Sequence, residues 1–397
     1  MFIKIIVSLL ICIAQLIARN PDAVGREGMA VSSHKLASQV GIDILKRGGN
    51  AIDAAIAMGF ALAVVHPAAG NIGGGGFMVI RLADGNVTTI DFREVAPSGA
   101  SRDMFLDDSM NVIENKSWDT SWAAGVPGTV AGFGMAHEKF GSIKWKNLVR
   151  PAIKLAKEGF PLDFQNIIYL NHPYYHNYLS NDIETQKIFV KTDQYELYEK
   201  FYQKDLGKTL ERISNNGWQE FYIGKTADLI TKCMQRTYGI ITKEDLAKYY
   251  PIERPPISYY YREYEVHSMP PASSGGVAIA GILKQLENIP LDSLEYHSAQ
   301  HLHYVSEVER RVYADRAEFM GDMDFVPVPI NELISDQYAK TRWQSIDSFQ
   351  ASSSADITHG NIPFSYKESE ETTHYSVVDQ LGNAVSVTTT INGWFGN

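Results

Sequence analysis

The chain has 397 residues, 45% of them hydrophobic and 21% charged, an ordinary composition for a soluble globular protein with room for one large domain or two smaller ones. A formal net charge of -10, a pI near 5.6 and no long Lys/Arg run argue against nucleic acid as a partner and leave small molecules as the expected ligands.

Residues 1–18, MFIKIIVSLLICIAQLIA, carry one early lysine and a short apolar core, the outline of a secretory signal peptide. A short membrane anchor is the alternative, although the apolar run falls below the roughly 20 residues that a spanning helix needs. The expected location is extracytoplasmic, secreted or periplasmic. Of the two cysteines, Cys12 would leave with the leader, so the remaining chain forms no internal disulfide. Cys233, within the helix-like LITKCMQRTYG, reads as a packing cysteine.

In SSHKLASQVGIDILKRGG, Leu36, Val40 and Ile44 recur every fourth residue before a glycine stop, which predicts an amphipathic helix. A second helix follows, with Asn50 as N-cap, Asp53 in its first turn and apolar residues on every side through Val65. Asp53 is therefore a helix-end residue rather than an acid catalyst. Gly73–Gly76 then lead into two alternating strands joined at Asp84-Gly85. Met78 stands where the third glycine of a dinucleotide fingerprint would fall, so the run implies close backbone packing or the wall of a site.

Further on, Thr242 and Asp245 approximate a capping box. His297 and His301 have the spacing of a helical metal pair, with His303 nearby, but no Glu stands between them as in H-E-x-x-H and no metal site is assigned. Gln350 to Glu371 is polar and poor in large apolar residues, which predicts a flexible connector.

From Thr372 the chain alternates as a strand, turns at QLGN and returns through Ile391. Counted from that turn, Thr390 to Asn392 return beside Thr372 to His374. Thr372 is an ordinary strand residue or a nucleophile. As a nucleophile it needs a base, either His374 on the same strand face or its own α-amine, released by a cut after Glu371 and titrating near pH ~8.

TTHYSVVD followed by GNAVSVT, together with DFREVAP, GVPGTVAG, HSMPPASSGG and ADRAEFMGD, resembles the γ-glutamyltranspeptidase family, collinearly from about residue 20 onward. The resemblance implies an N-terminal nucleophile hydrolase of α+β class, an αββα four-layer sandwich incomplete here at its C-terminus. It implies a precursor that cleaves itself at Glu371-Thr372 into a large-subunit region, 19–371, and a small subunit beginning at 372–397. Thr372 matches the nucleophile, Arg93 the arginine that binds the substrate α-carboxylate, and Thr390 and Asn392 the segment that supports the nucleophile and contacts the α-amino acid end of the substrate. Independently, strand alternation separates Asp91 and Arg93 from Ile90 and Phe92, and a guanidinium suits a carboxylate. A surface pair between Asp91 and Arg93 is the competing reading.

The implied activity is γ-glutamyl transfer or hydrolysis on glutathione-like amides, with water or an amino acid as acceptor, the two subunits of one precursor as partners, and no cofactor or metal. A cephalosporin-acylase-like amidase and an inactive relative are the alternatives. Later contacts of the family, including its oxyanion hole, have no counterpart before Asn397, so the chain is expected to be a fragment of a longer gene product.

Overall fold

The computed structural model describes residues 23–362, 373–391 and 393–396. The expected leader at 1–18, Thr372 and Asn392 lie outside the described residues. Helix α1 (Lys35–Lys46) starts at His34, whose imidazole Nδ1 accepts the Leu36 N–H at 3.2 Å, and buries Ala37, Val40 and Ile44. Helix α2 (Ala51–Val65) opens with a complete capping box: Asn50 accepts the Asp53 N–H at 2.9 Å and Asp53 accepts the Asn50 N–H at 3.0 Å. Asp53 also accepts the Ser142 hydroxyl, which confirms it as a structural acid.

All of α2 is buried, because it is walled by α1, by α3 (Thr129–Phe140), by α4 (Trp145–Glu158) and by the central sheet. Phe60 meets Phe133 and Trp145 edge to face, at 5.2 and 5.5 Å between ring centroids. A helix this apolar has no face to offer water, and the sequence pattern follows from that.

The strands, in chain order, are β1 (Met29–Val31), β2 (Gly75–Arg81), β3 (Val87–Asp91), the minor pair β4 (Phe160–Pro161) and β5 (Lys200–Phe201), β6 (Ile252–Arg254), the ribbon β7 (Ile257–Tyr261) and β8 (Tyr264–Ser268), and the hairpin β9 (Thr373–Val378) and β10 (Ala384–Thr390). Six of them form an antiparallel sheet in the order β1-β9-β10-β2-β3-β6. The last hairpin thus sits in the middle of the sheet, between strands from the first quarter of the chain. Tyr375, Val387, Met78 and Ile90 form one cross-strand row, each at most 1% exposed. On the opposite face, His374, Thr388, Phe77 and Asp91 form the adjacent row.

The architecture is α+β, as expected. Among the described residues there are one helix layer, one six-stranded sheet, a helical lobe and two two-stranded ribbons, and no second large sheet. The lobe comprises α7 (Gly275–Leu286), α8 (Ala299–Phe319) and α9 (Asp336–Trp343), counted after α5 (Lys225–Arg236) and α6 (Lys243–Lys248). Arg254 ties the lobe to the sheet: its Nε donates to Asp91 Oδ2 at 2.9 Å and its two terminal nitrogens reach Asp324 at 2.9 and 2.5 Å.

Three expectations need correction. Cys233 is exposed, because α5 buries Thr226 and Ala227 and packs Ile230 and Met234, which turns position 233 toward solvent. The described half of the connector is not loose: Glu307, fully buried, accepts Ser352 N–H at 2.8 Å and Ser352 Oγ at 2.7 Å, and Asp315 accepts Gly360 N–H at 2.7 Å. Finally, the hairpin register sets Thr389 opposite Thr373 and Thr388 opposite His374, so His374 does not face Thr390. His297, at φ +62°, precedes α8, and its ring lies 6.3 Å from that of His301 in an edge contact; the described residues hold no cluster of three metal-ligating side chains.

Candidate active site

β2 begins on Gly75, paired with Thr390 at the end of β10. A Cβ on Gly74 would lie 2.0 Å from Thr390 O, and one on Gly76 2.3 Å from Thr388 O, so the glycines let β2 and β10 meet. At Gly75 a Cβ would lie 2.5 Å from Glu94 N and from Glu94 Oε2. The glycine run therefore brings the end of β10 and the DFRE segment to one place.

Asn71, ahead of that run, organises the approach. Its Nδ2 donates to Thr390 O at 3.0 Å, while its Oδ1 accepts Gly74 N–H at 2.9 Å and the Thr129 hydroxyl at 2.8 Å. The Gly128 and Thr129 N–H groups, at the start of α3, donate to Gly74 O at 2.7 and 3.1 Å. Thr390 is buried, at 6% exposure. Neither Asn71 nor Thr129 follows from spacing alone; an amide side chain before a glycine run is a signal only in hindsight of the loop it ties.

Arg93 follows β3. Its N–H donates to Asp91 Oδ1 at 3.1 Å and its carbonyl accepts the Tyr249 hydroxyl at 2.8 Å, so its backbone is fixed on both sides. The guanidinium lies 5.9 Å from the Phe77 ring centroid, and its Nε stands 3.6 Å from Glu94 Oε1. The surface pair with Asp91 fails, because the Asp91 carboxylate is buried and taken by Arg254. Burial raises the Asp91 pKa above the usual carboxylate range, against the hydrogen bonds from the Arg93 backbone and Arg254.

Glu94 is the residue that sequence reasoning missed. Among the described residues its Oε2 is buried and has no hydrogen-bond partner. A carboxylate oxygen removed from water without a donor is costly, and such exceptions in folded proteins call for a reason. An arginine with a neighbouring unsatisfied carboxylate presents both charges of an amino-acid zwitterion with their complements.

His374 is placed otherwise than a general base requires. Its Nδ1 is 3.0 Å from Thr388 Oγ1, and its Nε2 is 3.0 Å from Ser376 Oγ and 3.3 Å from Ser386 Oγ. Hydroxyl groups surround the ring and, among the described residues, no carboxylate bonds to it, while desolvation lowers its pKa below the ordinary imidazole value.

Arg93, Glu94, Thr390 and the start of β9 thus share one end of the sheet. A family model described as Gamma-glutamyltranspeptidase matches residues 37–397. The chain belongs to the γ-glutamyltranspeptidase family. It is 48% identical to the glutathione hydrolase proenzyme of Escherichia coli K12 over 94% of its length, and 46% identical to that of Pseudomonas sp. A14 over 96%. It spans 64% and 66% of those two relatives. The crystal structure of Helicobacter pylori gamma-glutamyltranspeptidase superimposes with a TM-score of 0.83 at 46% identity, covering 86% of this chain and 97% of that one. In the frame of this γ-glutamyltranspeptidase fold, Arg93 and Thr390 stand at neighbouring strand ends joined by Gly75 and Glu94, and Thr373 pairs with Thr389 at the same end.

Proposed function

We propose that the protein is a γ-glutamyl transferase and hydrolase acting on glutathione and related γ-glutamyl amides, after self-cleavage at Glu371-Thr372. The observation that carries this reading is the Arg93-Glu94 pair, whose arginine keeps its guanidinium 3.6 Å from Glu94 while Arg254 occupies Asp91. Arg93 binds the α-carboxylate of the γ-glutamyl group bidentately, and Glu94 Oε2 accepts from its α-ammonium. Thr390 and Asn392 support the segment beside the nucleophile.

In self-cleavage, the Thr372 hydroxyl adds to the Glu371 carbonyl and the peptide C–N bond breaks, its nitrogen taking the hydroxyl proton. Water then hydrolyses the ester, leaving a Glu371 carboxylate and a free Thr372 amine. In turnover, that amine takes the proton from Thr372 Oγ as the oxygen attacks the γ-amide carbonyl, and returns it to the departing amine. The resulting γ-glutamyl ester passes to water or to the amine of an acceptor amino acid. Each step is an acyl or proton transfer among these groups. The leader at 1–18 supports export, with the protein working outside the cytoplasm.

The experiment is N-terminal sequencing of the protein expressed from its complete gene, alongside hydrolysis of a γ-glutamyl anilide. We expect a subunit beginning at Thr372, and loss of both cleavage and turnover in Thr372→Ala. A subunit beginning elsewhere sinks the mechanism.

A further inference from the structure

Beyond β3 the sheet ladder ends with the two bonds between Phe92 and Gly76, at 2.9 and 3.2 Å, so the next carbonyl, that of Arg93, needs a donor from elsewhere. It takes the Tyr249 hydroxyl. That carbonyl belongs to the peptide plane that joins Arg93 to Glu94, and one hydrogen bond on it therefore bears on the directions in which both charged side chains leave the backbone. On the amide side of the same plane, Gly75 lies so near that a Cβ would fall 2.5 Å from Glu94 N.

Tyr249 is itself held. It caps the C-terminus of α6, is 7% exposed, and stacks on Tyr222 with ring centroids 5.6 Å apart and planes 12° from parallel. The Tyr222 hydroxyl donates to Pro127 O at 2.9 Å and accepts the Ala131 N–H at 3.1 Å, which ties the stack to the first turn of α3. Gly128 gives the Tyr249 hydroxyl its room, since a Cβ there would lie 2.1 Å from that oxygen. At the other end of α6, Asp245 accepts the Ser98 N–H at 2.9 Å and the Thr242 hydroxyl at 2.7 Å, so the helix grips this stretch of chain at Arg93 and again five residues later. Burial above all, then Tyr222 and the charges of Asp91 and Glu94, pushes the Tyr249 hydroxyl above the ordinary phenol range, and it remains a donor through neutral pH.

A phenol is not needed to fill this place, because phenylalanine would keep the ring stack and spare the desolvation of a hydroxyl. What the hydroxyl adds is the orientation of one peptide. We infer that Tyr249 is a positioning residue of the γ-glutamyl site, setting the Arg93-Glu94 peptide so that guanidinium and carboxylate meet the α-carboxylate and α-ammonium of the substrate in one geometry. This rests on the reading of Arg93 given above. Tyr249 touches neither the substrate nor the reacting atoms; it acts through Arg93 and Glu94 on the part of the substrate remote from the amide that breaks. Its effect therefore belongs in KM rather than in kcat.

The test is a double-mutant cycle in protein expressed from the complete gene, with a γ-glutamyl anilide as substrate. Tyr249→Phe keeps the stack on Tyr222 and removes one O–H. It should raise KM about fivefold and leave kcat and the rate of self-cleavage at their parental values. Arg93→Lys alone should raise KM about tenfold. Adding Tyr249→Phe to it should raise KM by less than about twofold more, because the fork that the hydroxyl orients is already gone. Effects that multiply, to about fiftyfold in the double variant, overturn the inference. So does a Tyr249→Phe enzyme with lowered kcat, the sign of a merely structural role. A raised KM in Arg93→Lys beside a parental KM in Tyr249→Phe overturns the inference alone, whereas a parental KM in Arg93→Lys overturns the reading of Arg93 and the inference with it.

Discussion

Arg254 and Asp91 form a buried ion pair, Nε to Oδ2 at 2.9 Å, two residues from the arginine proposed to bind substrate. The pair holds the Asp91 carboxylate against β6, where Arg93 reaches it only through its backbone N–H. Removing one partner of a buried pair strands the other. Arg254→Met should cost about 3–5 kcal/mol in stability and, by releasing Asp91 as a competitor for the Arg93 guanidinium, raise KM as well. Urea unfolding and substrate kinetics read the two effects; a destabilised enzyme with parental KM would show that Asp91 does not compete.

Arg93→Lys tests the carboxylate fork directly. A point ammonium cannot reproduce two parallel hydrogen bonds, so KM for γ-glutamyl substrates should rise about tenfold while self-cleavage proceeds at the parental rate. Unchanged KM would remove Arg93 from the binding site.

For Glu94, the charge is the point. Glu94→Gln removes the charge from a half-buried carboxylate whose Oε2 has no hydrogen-bond partner among the described residues, so the ligand-free protein should be about as stable as the parent. Binding should suffer about tenfold for substrates with a free α-amine, and hardly at all for N-acetylated ones. Equal losses for both substrates would mean that Glu94 acts only on Arg93.

A fourth expectation concerns acid. Burial pushes the Glu307 pKa up, but the hydrogen bonds from Ser352 and Arg311 outweigh it and hold the carboxyl at about 2. A folded pKa depressed below the unfolded value contributes stability above the unfolded pKa, roughly 4.3, and loses it as pH falls toward 2. Unfolding free energy should thus decline from pH 5 to pH 3, and Glu307→Gln should flatten that decline. The same slope in both proteins would assign acid sensitivity elsewhere.

Local rules carried much of the fold. The caps at Asn50 and Thr242, the turn at Asp84-Gly85 and the hairpin around Gly382 are each written in a few adjacent residues, and each forms as expected. What escaped depends on partners distant in sequence. The connector's serines read as loose because Glu307 and Asp315, which hold them, lie some 45 residues upstream. Glu94 looked like any charged residue after a strand until Gly75 and Gly125 were seen to enclose it. The hairpin was legible but its register was not, since alternation fixes faces and leaves the pairing offset to the turn. Within the proposed site, Arg93 and Thr390 were expected from motif likeness, whereas Asn71 and Thr129 emerged only once β10 stood beside the glycine run.

The hairpin of β9 and β10 also bears on what a cut before it would produce. Its outer neighbours, β1 and β2, both belong to the first quarter of the chain, and Asp379 in its turn accepts the Ala51 N–H at the head of α2 at 2.9 Å. Two polypeptides made by breakage at Glu371-Thr372 would be interlocked, the hairpin of one inserted between strands of the other, sharing one hydrophobic interior. They would migrate as one particle through gel filtration and as two bands on a denaturing gel. Pulling them apart would mean tearing two ladders out of the middle of a sheet, so dissociation and unfolding should be a single event with a single midpoint.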